Sequence, residues 1–249
     1  MGQIKSKKAL IGHYGDKKNA TSYIKTRFEH PLGQVLHNRQ VSFVNLVIKE
    51  YKVRDLLEIA PGPARISVDI KGFEKGLMVD SSENMLDLAK RRLSKGSNFN
   101  KWSFQQANIF NFKSNRLFDL VYTFRFIRHL DKEKRYRIYL LINSVLKDKG
   151  LLIFDAVNYD ISFPLRQQNP NAYNIYDKLY NKNELINELG KNGFRVIKLR
   201  SVQCQFQLQY FLNKFRKFKI SPIVKLVINL LENDNAENPL EWVVLCQKK

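Results

Sequence analysis

Apolar residues recur at spacings of three and four through the first fifty positions. Tyr23, Ile24, Phe28 and Leu36, then Phe43, Val44, Val47 and Ile48, trace one stripe of a helical, polar-rich preface. The pattern changes after Asp55. Leu56, Leu57 and Ile59 form a short apolar strand, broken at once by Ala60-Pro61-Gly62-Pro63-Ala64, a cluster of turn-forming residues. A second short strand over 76–79 ends at Asp80, and Ser81-Ser82-Glu83 opens a helix with a serine as its cap. Strands over 102–106, 117–123 and 151–156 continue the series, with a helix over 136–146 and Gly150 where a helix-ending glycine belongs. Beyond Asn158 a connection carries Pro164 and Pro170. A helix over 182–192 closed by Gly193, a strand over 194–199 and a last strand over 242–247 complete the pattern.

Strands that alternate with helices pair in parallel through right-handed crossovers. The expected fold class is therefore α/β: a doubly wound, mostly parallel, Rossmann-like sheet with helices on both faces. The organisation read from the chain is an N-terminal helical cap at 1–50, a core at 51–201 and 240–249, and an insert at 202–239. The insert contains an aromatic and basic stretch, Phe206, Tyr210, Phe211, Phe215, Arg216, Lys217, Phe218 and Lys219, and a candidate apolar helix over 223–231. It is expected to act as a lid over a substrate pocket. No internal repeat or low-complexity tract interrupts the chain.

Composition narrows the class. With 249 residues and 44% hydrophobic content the chain buries a full core. No apolar run approaches the roughly 20 residues needed to span a bilayer, and the start lacks the apolar stretch of a secretory signal, so a soluble, cytoplasmic protein without a transmembrane segment is expected. Cys204 and Cys246, and the four histidines at 13, 30, 37 and 129, are too scattered to spell a disulfide framework or a metal site. The 43 Lys and Arg against 23 Asp and Glu leave a net charge of +20. That field attracts anions: nucleic acid, an anionic membrane surface in peripheral contact, or an acidic small molecule. Met1-Gly2-Gln3-Ile4-Lys5-Ser6 also fits the start of an N-myristoylated chain, with Lys5, Lys7 and Lys8 able to reinforce attachment to anionic lipid.

In open α/β sheets a ligand sits beyond the carboxyl ends of the strands. Here that places the turn after the first strand next to the acid ending the second. Small residues at 60 and 62 let backbone approach a ligand, and the Asp80 carboxylate can accept hydrogen bonds from both hydroxyls of a ribose. The run Glu58-Ile59-Ala60-Pro61-Gly62-Pro63-Ala64 resembles the first motif of class I S-adenosylmethionine-dependent methyltransferases, with alanine at two customary glycines. The resemblance continues in order through Asp80, Gln106-Ala107-Asn108-Ile109, Phe118-Asp119-Leu120-Val121, Leu146-Lys147-Asp148-Lys149-Gly150 and Gly193-Phe194. It spans roughly residues 50 to 200 and the final strand.

That resemblance implies a fold, a cofactor and a set of contacts. S-adenosyl-L-methionine would meet Glu58 near its amino group, Ala60 and Gly62 along its backbone, Asp80 with Ser81 at the ribose, Asn108 and Ile109 at the adenine, and Thr123 at the end of the fourth strand. Asn108 stands where the family has an acid. Methyl transfer from a sulfonium needs alignment and exclusion of water more than reactive side chains. After the fourth strand, His129 is a candidate base, and Arg125 and Arg128 are candidate ligands for an acceptor carboxylate or phosphate. The favoured acceptor is a small molecule methylated on oxygen or nitrogen. Two alternatives stand beside it. One is RNA held by the basic surface, although the Asn/Asp-Pro-Pro-aromatic motif of enzymes that methylate exocyclic base amines is absent, Thr123-Phe124-Arg125-Phe126 standing instead. The other is a non-catalytic binding protein. A nicotinamide dehydrogenase is disfavoured because Arg65 occupies the position of the third fingerprint glycine.

Overall fold

The computed structural model describes residues 28–173, 175–217 and 221–249. The stripe residues Tyr23 and Ile24 and the myristoylation signal at Gly2 lie outside them. Helix α1 (Pro31–Glu50) opens with proline at its first position and with His30, whose side chain accepts the Gly33 N–H at 3.0 Å. Its inward residues Phe43, Val44, Val47 and Ile48 are buried against the sheet. Fully burying each contributes about 1.5–3 kcal/mol.

Strands β1 (Asp55–Ile59), β2 (Lys75–Asp80), β3 (Trp102–Gln106), β4 (Phe118–Thr123) and β5 (Leu146–Asn158) pair in parallel. Between them run α2 (Glu83–Leu93) and α3 (Lys132–Val145). Then follow α4 (Tyr159–Gln168), the short β6 (Leu179–Tyr180), α5 (Lys182–Lys191) and β7 (Phe194–Val202). Helices α6 (Phe206–Asn213) and α7 (Ser221–Leu230) precede β8 (Glu241–Lys248), the final strand. The strand order is β3-β2-β1-β4-β5-β8-β7, with β8 antiparallel to both its neighbours and β6 paired to β5. Alternate residues of each strand enter opposite cores: Leu56, Leu120 and Ile153 join α1 and α2, whereas Leu57, Val121 and Leu152 join α3 and α5. Both faces are covered, as expected for a doubly wound sheet.

Two local readings of the sequence change. Gly150 does not take the left-handed helix-ending conformation; Lys149 does, at φ 58°. β5 already begins at Leu146 and bulges between its pairings with Phe118 and Leu120. Glycine is needed at 150 for space instead, since a Cβ there would sit 2.8 Å from the Lys147 carbonyl oxygen. The connection after Asn158 is the helix α4, which accommodates Pro164 internally and is capped by the Asn158 side chain accepting the Asp160 N–H at 3.1 Å. The described residues of the insert include α6 and α7, and the helix expected over 223–231 is α7, packed on the first half of α1, where Leu32 and Val35 meet Val224 and Ile228. The Asn213 side chain accepts the Leu32 N–H at 3.2 Å.

Candidate functional site

The turn after β1 holds three residues in the left-handed region: Ala60 at φ 52°, Gly62 at 54° and Ala64 at 52°. Pro61 and Pro63 carry no N–H, and the Ala64 N–H turns back to the Pro61 carbonyl at 3.1 Å, closing the turn. The cost at each alanine is about 1–2 kcal/mol relative to an ordinary conformation. The turn is tied to β2 by Ala60 N–H donating to the Val79 carbonyl at 2.9 Å and Gly62 N–H donating to Asp80 Oδ2 at 3.1 Å. A Cβ added at Gly62 would meet nothing within 4 Å, so the turn faces open space at the carboxyl ends of the strands.

Asp80 borders that space. Its Oδ1 accepts the Ser82 N–H at 2.9 Å, and Ser82 itself caps α2 through Met85 N–H at 3.3 Å, leaving Asp80 unneeded as a helix cap. Burial pushes its carboxyl upward despite the amides of Ser82, Gly62 and Ser81. Ser81 is exposed beside it. Across the turn from β3, exposed Asn108 accepts the Phe110 N–H at 3.1 Å and buried Ile109 starts a single helical turn.

Glu58 sits deeper. Its carboxyl receives the Ser67 hydroxyl in a very short hydrogen bond, and Tyr122 OH donates to the same Ser67 oxygen at 3.2 Å. Burial pushes Glu58 up to about 7, against the opposing effects of Ser67, Tyr122 and Arg65. Because that lies above the ordinary value, the stability tied to this group is fully present below about pH 4.5 and is lost as pH rises through 7. Glu58→Gln is therefore expected to match the parent near pH 5 and to exceed it by up to about 3 kcal/mol near pH 8, measured by urea unfolding at both values. An equal difference at the two pH values would place the Glu58 titration in the ordinary range.

Thr123 ends β4 fully buried, and its hydroxyl donates to the Ile59 carbonyl at 2.7 Å. That bond joins β4 to β1 and occupies the only proton the side chain can donate. Arg125 follows at φ 59°, with its N–H donating to Asp155 Oδ1 at 2.5 Å. Its half-buried side chain makes no ion pair or side-chain hydrogen bond among the described residues.

Arg128 corrects its sequence reading. Instead of presenting a free guanidinium to an acceptor, it is 6% exposed and bridges Asp155 Oδ2 at 2.9 Å, Glu241 Oε2 at 3.0 Å and Asp177 Oδ1 at 3.1 Å. Burial opposes its charge, yet the three carboxylates hold it protonated. Asp177 also takes Arg166 at 2.6 Å and His129 Nδ1 at 2.9 Å. Burial would raise the Asp177 carboxyl, but His129, Arg128 and Arg166 together hold it well below the usual carboxylate range. With Nδ1 also 2.9 Å from the Tyr176 carbonyl oxygen, the His129 ring is oriented with Nε2 as its remaining nitrogen.

The sequence reading gave no site role to a chain of groups that links this cluster to α1. Gln40 lies 3.5 Å from Glu241 and accepts Arg65 NH2 at 2.6 Å. Arg65 lies over the Phe28 ring at 4.2 Å and 3.4 Å from His37, which pairs with Asp69 at 2.9 Å. Burial and Arg65 lower His37, against Asp69. A signal was available for part of it: Asp155 interrupts the apolar run of β5, and Glu241 abuts Trp242-Val243-Val244-Leu245, so both charges had to be buried and paired.

Comparison with known proteins gives the arrangement a context. Residues 56–150 match the family model described as "Methyltransferase domain". No curated protein sequence matches the chain. Among solved structures, the magnesium protoporphyrin IX methyltransferase of Synechocystis PCC 6803 with bound SAM superposes at a TM-score of 0.63 with 11% identity, covering 100% of both chains. The N-methyltransferase NodS of Bradyrhizobium japonicum WM9, in complex with S-adenosyl-L-homocysteine, gives 0.61 at 12% identity over 96% of each chain. A S-adenosylmethionine-dependent methyltransferase of Clostridium acetobutylicum ATCC 824 gives 0.60 at 14% identity, over 85% of this chain and 92% of that one.

Proposed function

From the match of residues 56–150 to a methyltransferase domain, we propose that this chain is a class I S-adenosylmethionine-dependent methyltransferase that methylates an oxygen or nitrogen atom of a small-molecule acceptor carrying a negative charge. The observation that carries the reading is the open space over Gly62, rimmed by Asp80 and floored by a turn with three left-handed residues. The residues fit the cofactor. Asp80 accepts the Gly62 amide on Oδ2 and the Ser82 amide on Oδ1, and its carboxylate keeps acceptor capacity for a ribose hydroxyl. Ala60 and Gly62 let the cofactor backbone approach, with Ser81 beside the ribose. Asn108 uses its carbonyl oxygen within the turn and retains an amide that can donate to an adenine ring nitrogen, with Ile109 beside it.

When bound, S-adenosylmethionine supplies a methyl group on a positively charged sulfur. The protein orients the acceptor and excludes water. Arg125 at the end of β4 supplies the cation for the acceptor's carboxylate or phosphate, its backbone fixed by Asp155. His129 is the candidate proton acceptor, with Asp177 and the Tyr176 carbonyl fixing Nδ1 so that Nε2 carries the lone pair. Glu58, bonded to Ser67, supports the turn from below and is assigned a positioning role near the cofactor's amino group.

Titration calorimetry of the full chain with S-adenosylmethionine and S-adenosylhomocysteine tests the cofactor step, and saturable one-to-one binding of both is expected. Transfer of a labelled methyl group is then measured with a panel of carboxylate-bearing, phosphate-bearing and uncharged acceptors. Turnover confined to anionic acceptors, with KM raised at least about tenfold by Arg125→Met, is the expected result. Absence of cofactor binding by the folded protein would leave a methyltransferase scaffold without its reaction.

A further inference from the structure

Between α5 and β7 lies a cleft of about 530 Å³. Lys182, Ile186 and Gly190 stand at every fourth position of α5, so one stripe of that helix lines the cleft. Gly190 leaves room in that stripe: a Cβ there would meet only Lys249 Nζ, at 3.8 Å. On the strand side the cleft is lined by Val196 and Leu199, which pack toward the core, and by Ile197, which stands at the bulge in the pairing with β8 and is 38% exposed.

The strand beside this cleft is an open edge. β7 ends the strand order, paired on one side to β8 and on the other to no strand among the described residues. In an antiparallel pair the N–H and C=O of one residue point the same way, and the direction alternates along the strand. Ser201 N–H turns away from β8 to the Asp234 carbonyl at 2.9 Å, so Leu199, two residues earlier, also presents its N–H and C=O away from β8. An unpaired edge beside a groove is where an extended peptide adds as a further strand, its main chain bonding the edge and its alternate side chains entering the groove.

Charge identifies the occupant. Lys182, Arg195, Lys198 and Lys249 line the cleft, and no acidic residue does. Arg195 donates to Gln247 Oε1 and Lys249 Nζ to the Gly190 carbonyl, each at 2.8 Å, and both acceptors are neutral. The acids of α5 are engaged elsewhere, Glu184 with Lys178 and Glu188 with Arg135. A second copy of this chain would bring the same cations to the edge, and like charges across a strand pair repel. Nucleic acid would satisfy the charge but has no alternating N–H and C=O groups to pair with the edge. An acidic polypeptide strand satisfies both.

We propose that the cleft between α5 and β7 binds an acidic, extended segment of a partner protein, which adds to β7 as one further strand of the sheet. The face is separated from β1 and its turn at Gly62 by β4, β5 and β8, so a docked partner leaves the strand-end opening free.

The test is fluorescence anisotropy of a labelled peptide of alternating valine and glutamate, titrated with the full chain. Saturable one-to-one binding is expected, weakened by added salt and at least about tenfold weaker in the double variant Lys182→Glu, Lys198→Glu. Both positions are exposed, so the variant is expected to keep the parent's circular dichroism spectrum and Tm. Lys95→Glu with Lys113→Glu makes the same change in net charge after α2 and after β3, and is expected to leave the affinity within about twofold. A peptide with proline in place of each valine has the same charge but lacks those amides, and is expected to bind at least about tenfold more weakly. Hydrogen exchange reads the edge directly: the Leu199 amide is expected to slow when the valine peptide is added and to stay at its free rate with the proline one. Three outcomes would overturn the proposal: no saturable binding, an equal loss of affinity in the two charge-reversal variants, or a Leu199 amide that exchanges at its free rate in the complex. So would single-stranded RNA that binds more tightly than the peptide and is lost in Lys182→Glu, Lys198→Glu, or a dimer in peptide-free solution that protects the same Leu199 amide, because nucleic acid or a second copy would then be the occupant.

Discussion

Asp80→Ala is expected to weaken S-adenosylmethionine binding at least about a hundredfold in titration calorimetry, with little change in Tm. Each hydrogen bond to a charged group contributes about 1.5–3 kcal/mol, and 1.4 kcal/mol is a factor of ten in affinity. The alanine variant loses the acceptor for two ribose hydroxyls and also releases the Gly62 and Ser82 amides that Asp80 gathers at 3.1 and 2.9 Å. The second loss matters for shape. Ala60 and Ala64 remain in left-handed conformations they do not prefer, so a turn freed from Asp80 relaxes away from the opening. Asp80→Asn keeps one acceptor oxygen and is expected to fall between the two, at about a tenfold loss. Unchanged affinity in the alanine variant would move the ribose to other residues and remove the basis for reading Gly62 and Asp80 as one site.

The largest effect on stability is expected from Arg128→Met, at about 3–5 kcal/mol near neutral pH by urea unfolding. The methionine fills similar volume but leaves Asp155, Glu241 and Asp177 buried without their shared cation. For a fold held by about 5–15 kcal/mol that is a large share. The loss should depend on pH with a definite sign. Burial, together with Asp155, already raises Glu241 in the parent against the pull of Arg128, and removing Arg128 raises it further. Carboxyls raised in the folded state give stability at low pH and lose it as pH rises through their folded values. The deficit of Arg128→Met is therefore expected to shrink toward about pH 5 and to grow toward pH 8. A deficit independent of pH would mean that packing, not unpaired charge, is what Arg128 provides.

Much of this molecule was legible along the chain because its signals are local. The run of Leu56, Leu57 and Ile59 into Ala60-Pro61-Gly62, and the helix opening at Ser82 after Asp80, each depend on near neighbours, and strand and turn fall where the pattern placed them. Arg125 and Arg128 show the limit. Three positions apart and alike in sequence, one keeps a side chain without an ion pair among the described residues and the other is sealed among carboxylates from β5, β8 and the segment before β6. Thr123, expected at the cofactor, donates its hydroxyl to the Ile59 carbonyl, a bond between β4 and β1 that the sequence did not signal.

The sequence by itself determined the alternation of strands and helices and the strand-end turn with its acid, since these are carried by near neighbours along the chain, and the methyltransferase resemblance, since its short motifs follow one another in order. Only the tertiary structure decided that β8 inserts antiparallel between β5 and β7, that Glu241 thereby reaches Arg128 across 113 positions, and that the insert stacks on α1 with an apolar face outward. Hydrogen bonds and charge pairs between distant segments depend on which strands become neighbours, and strand adjacency is set by burial of the whole sheet, which no local window of residues contains.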